Sequence, residues 1–219
     1  MAHITPNKYR PLYATIYLVL FLSLATLVKL KAPLIASFDT TVQKLLLPIT
    51  NSTMTDFVDK LTFLGGPEMS LIYCLLLCLI VYLLHDVYNA IWALLTVVGC
   101  NLINWIVKNL VARPRPSDRL VEIGGYSFPS GHTFGTALFV LLVFVLFLPH
   151  LHNQGIKTLL HVLGVLWIIV IALTRIYLHV HYPTDTIASV LLVGFLFECS
   201  LMLSEAYLKK HPELQHNNA

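Results

Sequence analysis

The chain has 219 residues, of which 57% are hydrophobic and 11% charged, with a formal net charge of +3. Soluble domains carry roughly 25% charged residues, so an ordinary soluble globule is excluded and an all-α, polytopic membrane protein is expected, folded as one domain over residues 1–219. No basic cluster with interleaved aromatics suggests nucleic acid as a partner.

Residues 1–11 are polar, and Lys8 and Arg10 precede an apolar run at residues 12–28. That run could pass for a signal peptide, but no small-x-small cleavage pattern follows, so it reads as the first span. Residues 29–66 form the longest polar connection and hold two amphipathic pieces. In one, Leu34, Ile35, Phe38, Val42, Leu45 and Leu46 recur at helical spacing up to Pro48. In the other, Phe57, Val58, Leu61 and Leu64 recur up to Gly65-Gly66-Pro67. Both read as short helices in the headgroup layer, and both could border a lipid entrance.

Five further apolar runs are long enough to span, at about residues 68–84, 88–110, 132–148, 158–178 and 183–208. The turn His85-Asp86-Val87 joins spans two and three, and a polar turn at 149–157 joins four and five. The tail from Lys209 is polar. All four cysteines (Cys74, Cys78, Cys100 and Cys199) lie inside apolar runs and read as small packing residues. The expected architecture is thus a six-transmembrane-helix bundle with short amphipathic interfacial helices between spans one and two. Charge counting over the loops, taken literally, weakly inverts the usual orientation.

Polar residues cluster at one end of this bundle. Lys108 ends span three, with Arg113-Pro114-Arg115-Pro116 beyond it. Pro129-Ser130-Gly131-His132 opens span four, and Arg175 ends span five. His179, His181 and Asp185 follow, the last at the start of span six. Spans three and five end where four and six begin, so connectivity brings all three stretches to the membrane face opposite the termini. Asn101, Asn104 and Lys108 share one stripe of span three. That stripe is expected to face the interior, with the asparagines bonding to other helices.

The chemistry of the cluster suits a phosphate. A helix start rich in small residues leaves N–H groups free for an anion. Lys108, Arg115 and Arg175 can neutralise a phosphate dianion. His181 and Asp185 are four residues apart, so the carboxylate can fix the imidazole tautomer and leave the other ring nitrogen as nucleophile. His132 can move a proton at the leaving oxygen. The cations already supply the neutralising charge, so no metal is needed.

The spacings Lys108-x6-Arg115-Pro116, Pro129-Ser130-Gly131-His132 and Arg175-x5-His181-x3-Asp185 closely resemble the three motifs of the type-2 phosphatidic acid phosphatase superfamily of membrane lipid phosphatases. The match covers residues 108–185. The resemblance implies a cofactor-free, metal-independent hydrolase with a phosphohistidine on His181. Asp185 would orient it, and His132 would be the general acid and later activate water. Lys108, Arg115, Ser130, Gly131 and Arg175 would hold phosphate oxygens. It also implies a lipid phosphate as partner, cytoplasmic termini, and an active site at the outer face of a bacterial cell membrane. Undecaprenyl diphosphate is the expected substrate, with phosphatidic acid, phosphatidylglycerophosphate and diacylglycerol pyrophosphate as alternatives. A lipid phosphotransferase and a non-catalytic lipid-binding protein are rivals of other classes. The motifs say nothing of oligomeric state.

Two positions depart from the family pattern. Thr174 stands where Ser is usual, and His179 where a small residue, often Gly, is common. His179 reads as a loop histidine that could also tune His181. Arg113 and Arg119 flank the site loop, where they could serve a headgroup or be ordinary loop charges. Glu198 lies about 20 Å along its helix from Asp185, too far to join the site.

Overall fold

The protein is described from a computed structural model, which covers residues 6–84 and 86–212. The first five residues, His85 of the expected turn and the tail from residue 213 lie outside the described residues. The described residues form eight α-helices and no strand. In chain order these are α1 (Arg10–Lys29), α2 (Pro33–Lys44), α3 (Ser52–Phe63), α4 (Pro67–Leu83), α5 (Val87–Val111), α6 (Gly131–Leu146), α7 (Gln154–Tyr177) and α8 (Pro183–Lys210). Single 3-10 turns at Leu47–Ile49 and Leu148–His150 follow α2 and α6. Among the described residues, six helical stretches are long and apolar enough to cross a membrane.

The expected boundaries hold to within a few residues, and the starts are legible as caps. Asn51, Asp86, Ser130 and Asn153 each accept a backbone N–H three residues on, at the starts of α3, α5, α6 and α7. Pro33, Pro67 and Pro183 open α2, α4 and α8, where a missing N–H costs nothing. At the end of α5, Ala112 takes a left-handed conformation (φ 51°). That turn swings Arg113 back over the bundle.

α6 is the most buried of the spans and packs against α4, α5, α7 and α8. Phe134, Leu138 and Leu142 on it are fully enclosed. Around it, large aliphatic side chains point outward from α1, α4, α5 and α7. Water would penalise so much exposed apolar surface, whereas lipid does not. α1 runs along α8, and Arg10 clamps the pair by contacting Glu198 (3.0 Å) and Glu205. Glu198 therefore belongs to a latch at the terminal end, far from the polar cluster, and both described chain ends lie on that side.

The asparagine stripe differs from its expectation. Asn104 is buried, yet its Oδ1 has no hydrogen-bond partner among the described residues, and Asn101 donates to Val97 O of its own helix at 2.9 Å. Its amide is satisfied one turn back, so it needs no partner across the interface.

α4 and α6 meet where Gly135 faces Ser70, and a Cβ at 135 would stand 2.8 Å from Ser70 Cβ. Gly135→Ala should therefore destabilise the protein by about 1–3 kcal/mol through overpacking. Thermal unfolding in detergent would register this as a lower midpoint, and an unchanged midpoint would contradict such close packing.

Candidate active site

The polar stretches converge at the end of the bundle away from Arg10. Ser130, the N-cap of α6, is fully buried. Its hydroxyl accepts from Thr133 Oγ1 at 3.2 Å, leaving its own proton to give. Its backbone is fixed against α8 by Ser130 N to Asp185 O (3.2 Å) and by Ser189 Oγ to Ser130 O (2.9 Å). α6 begins at Gly131, so the N–H groups of Gly131 and His132 lie in a first turn without helical acceptors. The His132 ring lies over the turn before α4, where a Cβ on Gly66 would stand 3.8 Å from its Nε2.

Three cations surround this helix start. Lys108 Nζ donates to Pro129 O (2.6 Å) and Tyr126 O (3.1 Å). Arg115 donates from Nε to Gly124 O and Gly125 O, each at 3.1 Å, and from Nη1 to Val180 O at 2.8 Å. Arg175 donates to Thr62 Oγ1 at 3.0 Å, while its buried Nε has no hydrogen-bond partner among the described residues. Among the described residues, none of the three forms an ion pair with a carboxylate. Carbonyl and hydroxyl dipoles hold them in place without cancelling their charge.

His181 is 1% exposed, and its Nε2 lies 3.0 Å from Arg115 Nη1. Burial, then the charges of Arg115, Arg175 and Lys108, hold its imidazole well below the ordinary value. It is therefore neutral at neutral pH, the state a nucleophile requires. Its Nδ1 faces Asp185 Oδ2 at 3.5 Å, adjacent but longer than a hydrogen bond. A cavity of about 380 Å³ reaches His132 and Arg175 from outside, past Asp59, Thr62, Phe63 and Val121–Ile123. All eight expected site residues thus gather at one end, around His181 and the start of α6.

Sequence reasoning missed a network behind Asp185. Arg113, expected as a headgroup contact or an ordinary loop charge, turns inward onto two buried carboxylates. Its Nη1 contacts Asp185 Oδ1 (2.6 Å), its Nη2 contacts Asp39 Oδ2 (2.7 Å), and its guanidinium stacks on the Tyr182 ring at 3.9 Å. Asp39 also accepts from Thr184 N (3.0 Å) and Thr184 Oγ1 (2.9 Å). The available signal was polarity on an apolar face: the inward positions are Ile35 and Asp39 on α2, and Val58 and Thr62 on α3.

His179 has φ 52°, the left-handed region that explains a preference for glycine there. It is buried, with Nδ1 2.6 Å from Asp118 Oδ2. Thr174 bonds Thr62 Oγ1 at 2.9 Å, so its hydroxyl is used beside Arg175. Arg119 donates to Ile123 O and shapes the site loop. Among the described residues, no three His, Cys, Asp or Glu side chains form a group that could hold a metal.

Residues 89–209 match the family model described as PAP2 superfamily. A Bacillus subtilis protein named phosphatidylglycerophosphatase B is 25% identical over 195 residues, 86% of this chain and 92% of that one. A Bacteroides thetaiotaomicron protein named lipid A 4'-phosphatase is 35% identical over 107 residues, 42% of this chain and 43% of that one. A Haemophilus influenzae phosphatidylglycerophosphatase B is 41% identical over 69 residues, 31% of this chain and 28% of that one. The crystal structure of a transmembrane PAP2-type phosphatidylglycerolphosphate phosphatase from Bacillus subtilis superposes with a TM-score of 0.77 at 22% identity. It covers 90% of this chain and 96% of that one.

In the ligand-free protein, imidazole nitrogen chemical shifts should show His181 still neutral as the pH falls through 6.5. Arg115→Gln removes one opposing cation and should raise the titration toward the ordinary value. Protonation of His181 at or above pH 6.5 in the wild type would contradict this electrostatic reading.

Proposed function

The chain belongs to the PAP2 superfamily, and we propose that it is an integral membrane lipid phosphatase cleaving a terminal phosphate through a phosphohistidine. The observation that carries this reading is the set of three cations, Lys108, Arg115 and the buried Arg175, that have no carboxylate partner among the described residues and gather around a neutral histidine and a helix start. Such a site is incomplete until an anion enters. Lys108, Arg115, Arg175, the Ser130 hydroxyl and the N–H groups of Gly131 and His132 hold the phosphate oxygens.

His181 Nε2 attacks phosphorus, and the bond from phosphorus to the lipid oxygen breaks. His132 gives that oxygen a proton. Asp185 balances the positive charge that develops on His181. Water then loses a proton to His132, attacks phosphorus, and releases inorganic phosphate and free His181. The cations provide the electrostatic stabilisation, so no step calls for a metal. The termini are cytoplasmic, and the site opens at the outer face of a bacterial cell membrane.

Phosphatidylglycerophosphate is the favoured substrate, ahead of undecaprenyl diphosphate. Two similar proteins carry the name phosphatidylglycerophosphatase B, and one aligns over most of the chain. The site mouth also includes Asp59 and Glu122. Carboxylates there disfavour a second phosphate directly behind the one being cleaved, and suit a glycerol hydroxyl better.

Purified protein with chelator present should release phosphate from phosphatidylglycerophosphate with a higher kcat/KM than from undecaprenyl diphosphate, phosphatidic acid or lipid A. His181→Ala should abolish turnover, and His132→Ala should slow it by about 10²–10⁴. Turnover near wild type in His181→Ala would refute the nucleophile. Metal-reversible inhibition by the chelator would refute the metal-free route, and a preference for undecaprenyl diphosphate would reverse the substrate order.

A further inference from the structure

We propose that Asp39 and Arg113 form a positioning pair that sets the Asp185 carboxylate, and through it His181, for attack on phosphorus. The proposal rests on the phosphohistidine reading above, and it assigns a function to an interfacial helix that carries no family motif.

The geometry leaves Asp185 little freedom. Its side chain is 0% exposed, so each oxygen must find its partners inside the protein. Oδ1 accepts from Arg113 Nη1 at 2.6 Å. Oδ2 accepts the Tyr182 backbone N–H at 2.9 Å and lies 3.5 Å from His181 Nδ1. Arg113 therefore turns the carboxylate so that Oδ2 faces the imidazole. Arg113 is fixed in turn by Asp39 Oδ2 on one side and by the Tyr182 ring on the other. Asp39, 1% exposed, is tied to the first turn of α8 through Thr184. The chain of contacts thus starts on α2, crosses Arg113 and returns to α8 beside the nucleophile.

Charge arithmetic gives Asp39 a second role. Asp39, Arg113 and Asp185 together carry one net negative charge. Without Asp39, Arg113 would draw more of the Asp185 charge, and less would remain to balance the positive charge on His181 during phosphoryl transfer. Without Arg113, two buried carboxylates would face each other unpaired. Lysine cannot replace Arg113, because a point charge does not bridge two carboxylates as a planar fork does.

Arg113 is committed to these carboxylates rather than to the phosphate-binding end, so its loss should act on kcat and not on KM. Arg113→Lys and Asp39→Asn should each lower kcat by about 10²-fold with KM changed less than about twofold, and should slow phosphohistidine formation in rapid quench equally. Asp39→Glu, which keeps the charge, should recover part of the loss. The double variant should be little slower than either single one, because the pair acts as a unit.

Wild-type kcat in Arg113→Lys would overturn the proposal, as would a raised KM at unchanged kcat or multiplicative losses in the double variant. If Arg113→Lys elutes aggregated, Asp39→Asn against Asp39→Glu decides alone, since both preserve the helix. Wild-type protein and His181→Ala run alongside separate the two levels. Absent wild-type turnover refutes the phosphatase reading. Normal wild-type turnover with fully active Asp39 and Arg113 variants refutes only the pair.

Discussion

Three positive charges held without a carboxylate partner among the described residues are the constraint on which the rest of the structure depends. Removing a cation from water is costly unless something replaces the lost hydration. Here the replacement is dipolar: Lys108 is met by Pro129 O and Tyr126 O, Arg115 by Gly124 O, Gly125 O and Val180 O, and Arg175 by Thr62 Oγ1. These acceptors fix geometry and leave the charge available. Carboxylates in the same places would have cancelled the attraction for an anion. The two buried carboxylates nearby are joined instead to Arg113, a fourth cation set behind His181.

The membrane fold makes this arrangement possible. Charges are admitted at helix ends far more cheaply than at the bilayer centre, and the site uses only ends. α5 and α7 bring Lys108 and Arg175 to the same level as the first turns of α6 and α8. The loop between α5 and α6 folds Arg115 down onto Val180 and His181. Each interfacial helix then supplies one polar inward residue. Asp39 on α2 holds Arg113, and Thr62 on α3 holds Arg175. These helices are therefore part of the site's framework rather than a cover over the bundle.

Much of this was legible in the sequence because of two strong regularities. Apolar runs bounded by Asn, Asp, Ser and Pro mark the spans, and alternating connectivity places Lys108, Ser130, Arg175 and His181 at one end without any coordinates. The network behind Asp185 was not legible. Asp39 is 146 positions from Asp185 in sequence, and nothing in the helical spacing of α2 says which partner its inward carboxylate will meet. Arg113 lies beside the motif residue Arg115, yet only the left-handed turn at Ala112 decides that it points inward. Asn101 shows the opposite error: a polar residue within a span can be satisfied by its own helix. His179 was legible as an anomaly, and its positive φ gives the physical reason.

The central claim is that His181 becomes covalently phosphorylated. Single-turnover quench of the purified protein with substrate labelled in its terminal phosphate tests it most directly, followed by peptide mapping under alkaline conditions. The account predicts a transient phosphoryl group that is acid-labile and alkali-stable, located on His181 and formed before phosphate is released. Full release of labelled phosphate with no phosphoenzyme on the way, or a phosphoryl group on any other side chain, would contradict it.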